Sequence, residues 1–317
     1  MTSLHSIVDG ALDAAVVPGY TRLGYRLRAA TWEDIPSGAM QGRTVVITGA
    51  TSGLGFAAAA RLADLGARMV LVGRNEERLR EAADAMNGPA EYHLADLGLM
   101  AEVRAVAARL CDTVPRIDVL INNAGALFPE REVTAEGLEA TFATNLLSPF
   151  LLTNLLVPRL IESAPARIIT VSSGGMYTQP LVLDDLQSED GYRGAVAYAR
   201  AKRAQIDLTL EWAERLDRTG VTVHAMHPGW ADTPGVRSSL PGFRLIMGPL
   251  LRSPEEGADT IVWLAAAPDG AGTSGRFWHD RRIRPVSRRP NTATSPEDRR
   301  VLWTELARMA GIDPESV

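Results

Sequence analysis

The chain has 317 residues, 46% apolar and 22% charged, with a net charge of -5. This composition supplies a sizeable core and excludes wholesale disorder, and the acidic total argues against nucleic acid as the main partner, because phosphate backbones select basic surfaces. The single cysteine, Cys111, rules out an internal disulfide framework and reads as filler in an alanine-rich helix.

Residues 1–42 read as a helical extension. Ile7, Val8, Leu12 and Ala15 fall near helical spacing, Pro18-Gly19 breaks the pattern, and a second helix is expected over 20–30. This arm either packs on the core or lies on a membrane surface, and its mixed charge and short apolar face favour packing. From Arg43 the pattern alternates strand with helix. Strands are expected at 44–47, 68–72, 92–94, 117–121, 167–171 and 221–226. Helices are expected at 56–65, 76–86, 99–114, 135–143, 147–163 and 198–216. The most apolar stretch, 145–161, is interrupted by Ser148, Pro149, Thr153, Asn154, Pro158 and Arg159, so no run reaches the ~18 apolar residues of a membrane span. The N-terminus lacks the features of a signal peptide, and a cytoplasmic protein is expected. Ser253-Pro254-Glu255-Glu256 and Ser295-Pro296-Glu297-Asp298 each offer a hydroxyl cap, a first-turn proline and acids at the positive end of a helix. Short turns linking alternating strands and helices predict a doubly wound α/β fold: a parallel Rossmann sheet of about seven strands with helices on both faces. The expected organisation is the 1–42 extension, one domain over 43–279 and a C-terminal extension over 280–317 with a terminal helix.

The first strand runs into Thr48-Gly49-Ala50-Thr51-Ser52-Gly53-Leu54-Gly55. Glycines at 49, 53 and 55 let the backbone turn tightly and approach a diphosphate, and the following helix aims its free N–H groups at the phosphates. Thr51, Ser52 and Leu54 belong to the same turn. A carboxylate at the end of the second strand would select NAD by bonding the ribose 2′-hydroxyl. The sequence has Gly73-Arg74 there. A guanidinium pairs with a 2′-phosphate, so NADP(H) is favoured over NAD, the bland reading of Arg74 being a solvated turn residue. Asp96, followed by Leu97 after the third strand, is a candidate for the adenine amino group or for a turn.

Further along stand Asn122-Asn123-Ala124-Gly125, Asn145, Ser172-Ser173, Tyr198-x-x-x-Lys202 and Pro228-Gly229-x-x-x-Thr233. With the glycine turn, these motifs resemble in order those of the short-chain dehydrogenase/reductases across about residues 43–270. The stretches after Val171, Asp185 and Met226 are similar to the retinol-dehydrogenase-like branch. The resemblance implies reversible hydride transfer between a nicotinamide and an apolar carbonyl or alcohol. Tyr198 would be the acid/base. A free phenol has a pKa of about 10, and an ammonium one helical turn away, Lys202, favours the phenolate. The family analogy adds that Lys202 grips the nicotinamide ribose, that a serine orients the carbonyl and that an asparagine, Asn145, supports a water relay. Tyr198 lies 25 residues after Ser173, a long gap filled by an acidic loop with Asp184, Asp185, Glu189 and Asp190. The retinol-dehydrogenase-like branch carries a similar insertion, which points to Ser173, with Ser172 as the alternative.

The resemblance further assigns Asn123, Ala124, Gly125, Pro228, Gly229 and Thr233 to the cofactor, and makes about 233–253 a lid over an apolar substrate. A surface helical hairpin is the bland reading of that segment, which is rich in Leu240, Phe243, Leu245, Ile246, Met247, Leu250 and Leu251. Trp230 and Tyr177 are candidates for the pocket mouth. His224 and His227 lack acidic or cysteine companions, so no metal site is expected. The basic run Arg276, Arg281, Arg282, Arg284, Arg288 and Arg289 reads as solvated, with acidic lipid or a partner chain as the other reading. A homo-oligomer is compatible with the family analogy, and the rival function is a dinucleotide-binding regulatory protein with little catalysis.

Overall fold

In the computed structural model, which describes residues 4–239 and 241–316, three short helices open the chain: α1 (Leu4–Ala14), α2 (Val16–Tyr20) and α3 (Arg22–Ala29). Strand and helix then alternate: β1 (Thr44–Thr48), α4 (Gly53–Asp64), β2 (Arg68–Gly73), α5 (Glu76–Asp84), β3 (Ala90–Leu94), α6 (Met100–Thr113) and β4 (Val119–Asn122). Next come α7 (Ala140–Phe142), α8 (Ser148–Glu162), β5 (Ala166–Val171), α9 (Gly194–Arg215) and β6 (Val221–Met226). The chain ends with α10 (Pro234–Ser239), α11 (Pro241–Met247), α12 (Pro254–Ala266), β7 (Arg276–His279), β8 (Arg282–Arg284) and α13 (Pro296–Ala310).

The strands form one sheet in the order β3-β2-β1-β4-β5-β6-β7-β8, parallel throughout except for the antiparallel β7–β8 pair. Helices cover both faces, so the inner strands are buried on both sides and read as continuous apolar runs; every residue of β1 is buried. Val46, Val70, Leu120 and Ile168 face one core layer with α6, α8, α9 and α13. Val45, Ile47, Met69 and Ile169 face the other with α4, α5 and α12. The strand order reverses between β1 and β4, and the crevice at the carboxyl ends of these strands is where such sheets bind ligands.

Three departures from the sequence expectation matter. The sheet has eight strands, because β8 returns antiparallel to β7 and falls inside the basic run. The hairpin straddles 279/280, the expected start of the C-terminal extension. Second, the basic run is not solvated throughout. Arg284 is buried against Asp9 at 2.7 Å, Arg288 reaches Asp13 at 2.6 Å, and Arg281 pairs with Asp259 at 2.7 Å. These ions are satisfied by acids on the N-terminal arm and α12, partners that local sequence does not reveal. Third, α7 passes through a π-turn (Ala143–Leu147) directly into α8, where two separate helices were expected. The joined helix Ala140–Glu162 is long and apolar enough to cross a membrane, and 83% of its most apolar window is buried inside the fold.

The caps at Ser253 and Ser295 form as expected, the first as a full capping box with Glu256. The arm packs on the domain through Tyr20, 3% exposed, and Leu12. Trp303 of α13 packs edge-on against Phe150 and Trp212, stapling the C-terminal extension to α8 and α9.

Candidate active site

A cleft of about 740 Å³ opens at the carboxyl ends of the strands. The β1–α4 turn forms its floor. Gly49 has φ +68°, and a Cβ on it would stand 2.9 Å from Ala124 Cα; a Cβ on Gly55 would stand 2.4 Å from Asn123 Nδ2. Side chains are therefore excluded on steric grounds, and the backbone lies bare to the cleft. Thr48 Oγ1 accepts from the N–H groups of Asn123 and Ala124, and Asn123 Nδ2 donates to the carbonyls of Thr48 and Gly49 at 2.9 and 3.1 Å. The Asn123 amide is thus spent on holding the turn. Ser52, the N-cap of α4, makes no side-chain cap bond, leaving the first-turn N–H groups to a ligand. A diphosphate fits this cradle.

Thr51, Ser52, Gly53 and Leu54 line the cleft, as do Arg74, Asp96, Leu97, Asn123, Ala124 and Gly125. Pro228, Gly229 and Thr233 line it from the far side. Asp96 also serves its bland role, accepting from Gly98 N–H at 2.8 Å. One residue was missed by sequence reading. Arg78 lines the cleft beside Arg74, four residues on, after Asn75 caps α5 by accepting from Arg78 N–H. The signal available was that four-residue spacing.

The opposite wall carries Ser173, Tyr198 and Lys202. Tyr198 and Lys202 share one face of α9, with Lys202 Nζ 5.4 Å from the phenol ring centre. Tyr198 is mostly buried and lines the cleft, and that burial pushes its pKa up to about 12, opposed by a hydrogen bond from Ser173. Burial pulls Lys202 down to about 7, and its Nζ donates to Val171 O at 2.9 Å. Ser173 and Ser172 are distinguished by their bonds. Ser172 is buried and donates to Lys202 O at 2.9 Å, whereas Ser173 lines the cleft and meets Tyr198.

Asn145 lies behind this wall, fully buried in the π-turn. Its amide donates to Ala126 O and Thr141 O at 2.7 and 2.8 Å, and Oδ1 accepts from Ala126 N–H. Its backbone carbonyl accepts from Gln205 at 2.6 Å. The π-turn widens the helix at this point, as such turns do at functional sites. A Cβ on Gly125 would stand 2.8 Å from Asn145 Oδ1 and 3.3 Å from Lys202 Nζ, so Gly125 is where the two side chains converge.

The short chain dehydrogenase family model matches residues 43–242. The chain belongs to the short-chain dehydrogenase family. Among its relatives, the dehydrogenase is 40% identical over 304 residues to dehydrogenase/reductase SDR family member 12 of Bos taurus, covering 92% of this chain and 94% of that one. It is 40% identical to retinol dehydrogenase 14 of Mus musculus, covering 77% and 79% of the two chains. Among solved structures, the Pseudomonas aeruginosa RhlG/NADP active-site complex superposes with a TM-score of 0.64 at 26% identity, covering 76% of this chain and 96% of that one.

In this dehydrogenase Trp230 lines the cleft, but Tyr177 does not: it is buried, donating its hydroxyl to Pro285 O at 2.6 Å. The expectation that Tyr177 lines the mouth is corrected by that bond, which turns the ring toward the C-terminal extension. The expected lid consists of α10 and α11, followed by a short turn (Gly248–Leu250). Leu240 lies outside the described residues. Leu245 is 85% exposed, while Leu251 is buried. Asp232 ties both lid helices down, meeting Arg237 at 2.8 Å and Arg244 at 2.9 Å, and these guanidinium groups pull its pKa down to about 2. His224 and His227 bond to protein: His224 meets Gly270 O and Trp278 Nε1, and His227 accepts from Gly229 N–H.

Proposed function

We propose that this dehydrogenase interconverts a carbonyl and an alcohol on an apolar small molecule, using NADP(H). The observation that carries the reading is the convergence of Ser173, Tyr198 and Lys202 on the wall facing the glycine cradle. A bound nicotinamide supplies or accepts the hydride. Tyr198 supplies or takes the proton at the substrate oxygen, Ser173 orients that oxygen, Lys202 steadies the phenolate, and Asn145 holds the wall behind Lys202. The substrate end of the cleft is built from Ala126, Leu127, Phe128, Thr178 and Trp230, a lining that favours apolar, uncharged molecules. The α10–α11 hairpin beside it is read as the lid. Retinol dehydrogenase 14 carries an apolar substrate in its name, which supports the same class. A regulatory protein that merely binds dinucleotide would have no use for the Ser173–Tyr198 hydrogen bond beside a buried lysine.

NADP(H) is favoured by Arg74 and Arg78, two guanidinium groups lining the end of the cleft after β2. A screen of retinals, steroids, quinones and aliphatic aldehydes, read by nicotinamide absorbance, tests both halves of the proposal. Reduction of at least one apolar carbonyl with NADPH is expected, and no oxidation of either dinucleotide across the panel would defeat the catalytic reading. Arg74→Gln combined with Arg78→Gln is expected to cost roughly 10–100-fold in kcat/KM for NADPH, the range for loss of hydrogen bonds to a charged group, and to leave NADH use unchanged. Equal losses for both dinucleotides would remove the case for NADP.

A further inference from the structure

A network of buried and half-buried charges lies outside the cleft, against its far wall. Asp9, Asp13 and Asp280 interlock with Arg28, Arg252, Arg284 and Arg288, drawn from the N-terminal arm, the segment after the lid, the β7–β8 hairpin and the stretch that follows it. Arg252 is its centre, 1% exposed, and every N–H of its guanidinium is used. Nη1 donates to Pro228 O at 3.1 Å and to Asp280 Oδ1 at 2.6 Å; Nη2 donates to Gly19 O at 3.1 Å and to Asp280 Oδ2 at 2.9 Å; Nε donates to Thr21 O at 3.2 Å. The Arg252 backbone pairs with Trp230 O and Asp232 N. Gly229, at φ +75°, lies flat against the guanidinium: a Cβ there would stand 2.5 Å from Arg252 Cζ.

The arm touches the same loop. Tyr20 O accepts from Trp230 N–H at 2.8 Å, and the Tyr20 ring packs edge-on against His227 at 4.4 Å. That ring also bears on the turn carrying Ser173, since a Cβ on Gly174 would stand 2.8 Å from Tyr20 Cε2. Arg28 holds the arm in place through Gly19 O, Asp9 and Asp280. Asp280 itself sits in the left-handed region at φ +52°, a costly conformation that aims its carboxylate at both arginines.

We propose that Arg252 is a positioning residue for the dinucleotide, and that the N-terminal arm contributes to the cofactor site through the carbonyls of Gly19, Tyr20 and Thr21, which hold Arg252 and Trp230, and not through the Asp9 pairs. The loop of residues 228–233 presents Pro228, Gly229 and Thr233 to the cleft on one side and is gripped by Arg252 on the other. A loop without regular structure opens easily unless tied down, and fixing it beforehand removes an ordering cost from binding. The inference rests on the dinucleotide reading of the cleft.

The test compares Arg252→Met with Arg284→Met, which breaks the Asp9 pair in the same cluster. Melting temperature and NADPH affinity, by fluorescence titration, are measured well below the melting points. Both variants are expected to melt lower. Arg252→Met is expected to weaken NADPH binding roughly tenfold or more, while Arg284→Met changes it by less than about twofold. Arg252→Lys, which keeps the charge but loses the fork, is expected to raise KM for NADPH more than it lowers kcat. Wild-type affinity in Arg252→Met, or equal weakening in both Met variants, overturns the proposal. Should Arg252→Met fail to fold, Arg252→Lys against Arg284→Met decides on the same criterion. A wild-type chain that binds neither NADPH nor NADH overturns the dinucleotide reading itself, an outcome visible before any variant is made.

Discussion

Tyr198→Phe is expected to fold and bind NADPH like the parent while losing roughly 10²–10⁴ in kcat, the range for removal of a positioned general acid/base. The substitution deletes one oxygen and keeps the ring that Lys202 Nζ faces at 5.4 Å. The phenol is the group with both the position and the protonation state for the task. It stands on the cleft wall, bonded to Ser173, and dense surroundings push its pKa up to about 12. At neutral pH it is therefore protonated and ready to donate to an incipient alkoxide. The sign for the reverse reaction follows: alcohol oxidation needs the phenolate, so its rate rises with pH, whereas carbonyl reduction falls as pH approaches the phenol pKa. Steady-state kinetics in both directions, with NADPH affinity measured separately, check this. A Phe variant that keeps its turnover removes Tyr198 from the chemistry, and one whose affinity falls as far as its turnover makes the residue a binding group.

Much of this was readable before any coordinates. The strand-helix alternation, the glycine turn and the Tyr198/Lys202 spacing are local patterns, and each forms where expected. Local patterns also explain the misses. Arg284 sits in a run of arginines and looks solvated, yet its acids, Asp9 and Asp13, lie at the other end of the chain. Strand β8 is three residues of alternating arginine and isoleucine, too short and too basic for a strand signal; only its pairing with β7 makes it one. Tyr177 was a candidate for the pocket mouth, but its hydroxyl is claimed by Pro285, more than a hundred residues later. The residues that line the cleft were legible because the proposed chemistry calls for particular residue types at short spacings. The structure adds the division of labour between neighbours: Ser172 ties β5 to α9 while Ser173 faces the cleft, and Asn123 holds the turn.

Lys202→Met is expected to lose at least roughly 10²-fold in turnover and, more tellingly, to abolish proton uptake on dinucleotide binding. Burial pulls the Lys202 ammonium down to about 7, from an ordinary value near 10.5. A group whose folded pKa is depressed in this way is protonated in both states below about pH 7, where the folded chain bears the whole cost of burying the charge. Between that pH and its unfolded value only the unfolded chain holds the proton, so this group's contribution makes stability rise with pH across the window. The melting temperature of the dinucleotide-free parent, relative to Lys202→Met, is expected to climb through that range. An anionic dinucleotide in the cleft favours the ammonium again and raises the pKa, so binding near neutral pH takes up part of a proton. Calorimetric titration in buffers of different ionisation heat measures that uptake directly. The same shift readies the tyrosine: a phenolate beside a neutral amine has no counter-charge, whereas beside an ammonium it gains one. Uptake that persists in Lys202→Met would place the titrating group elsewhere, and a melting difference flat with pH would mean that Lys202 keeps its charge in the folded chain throughout.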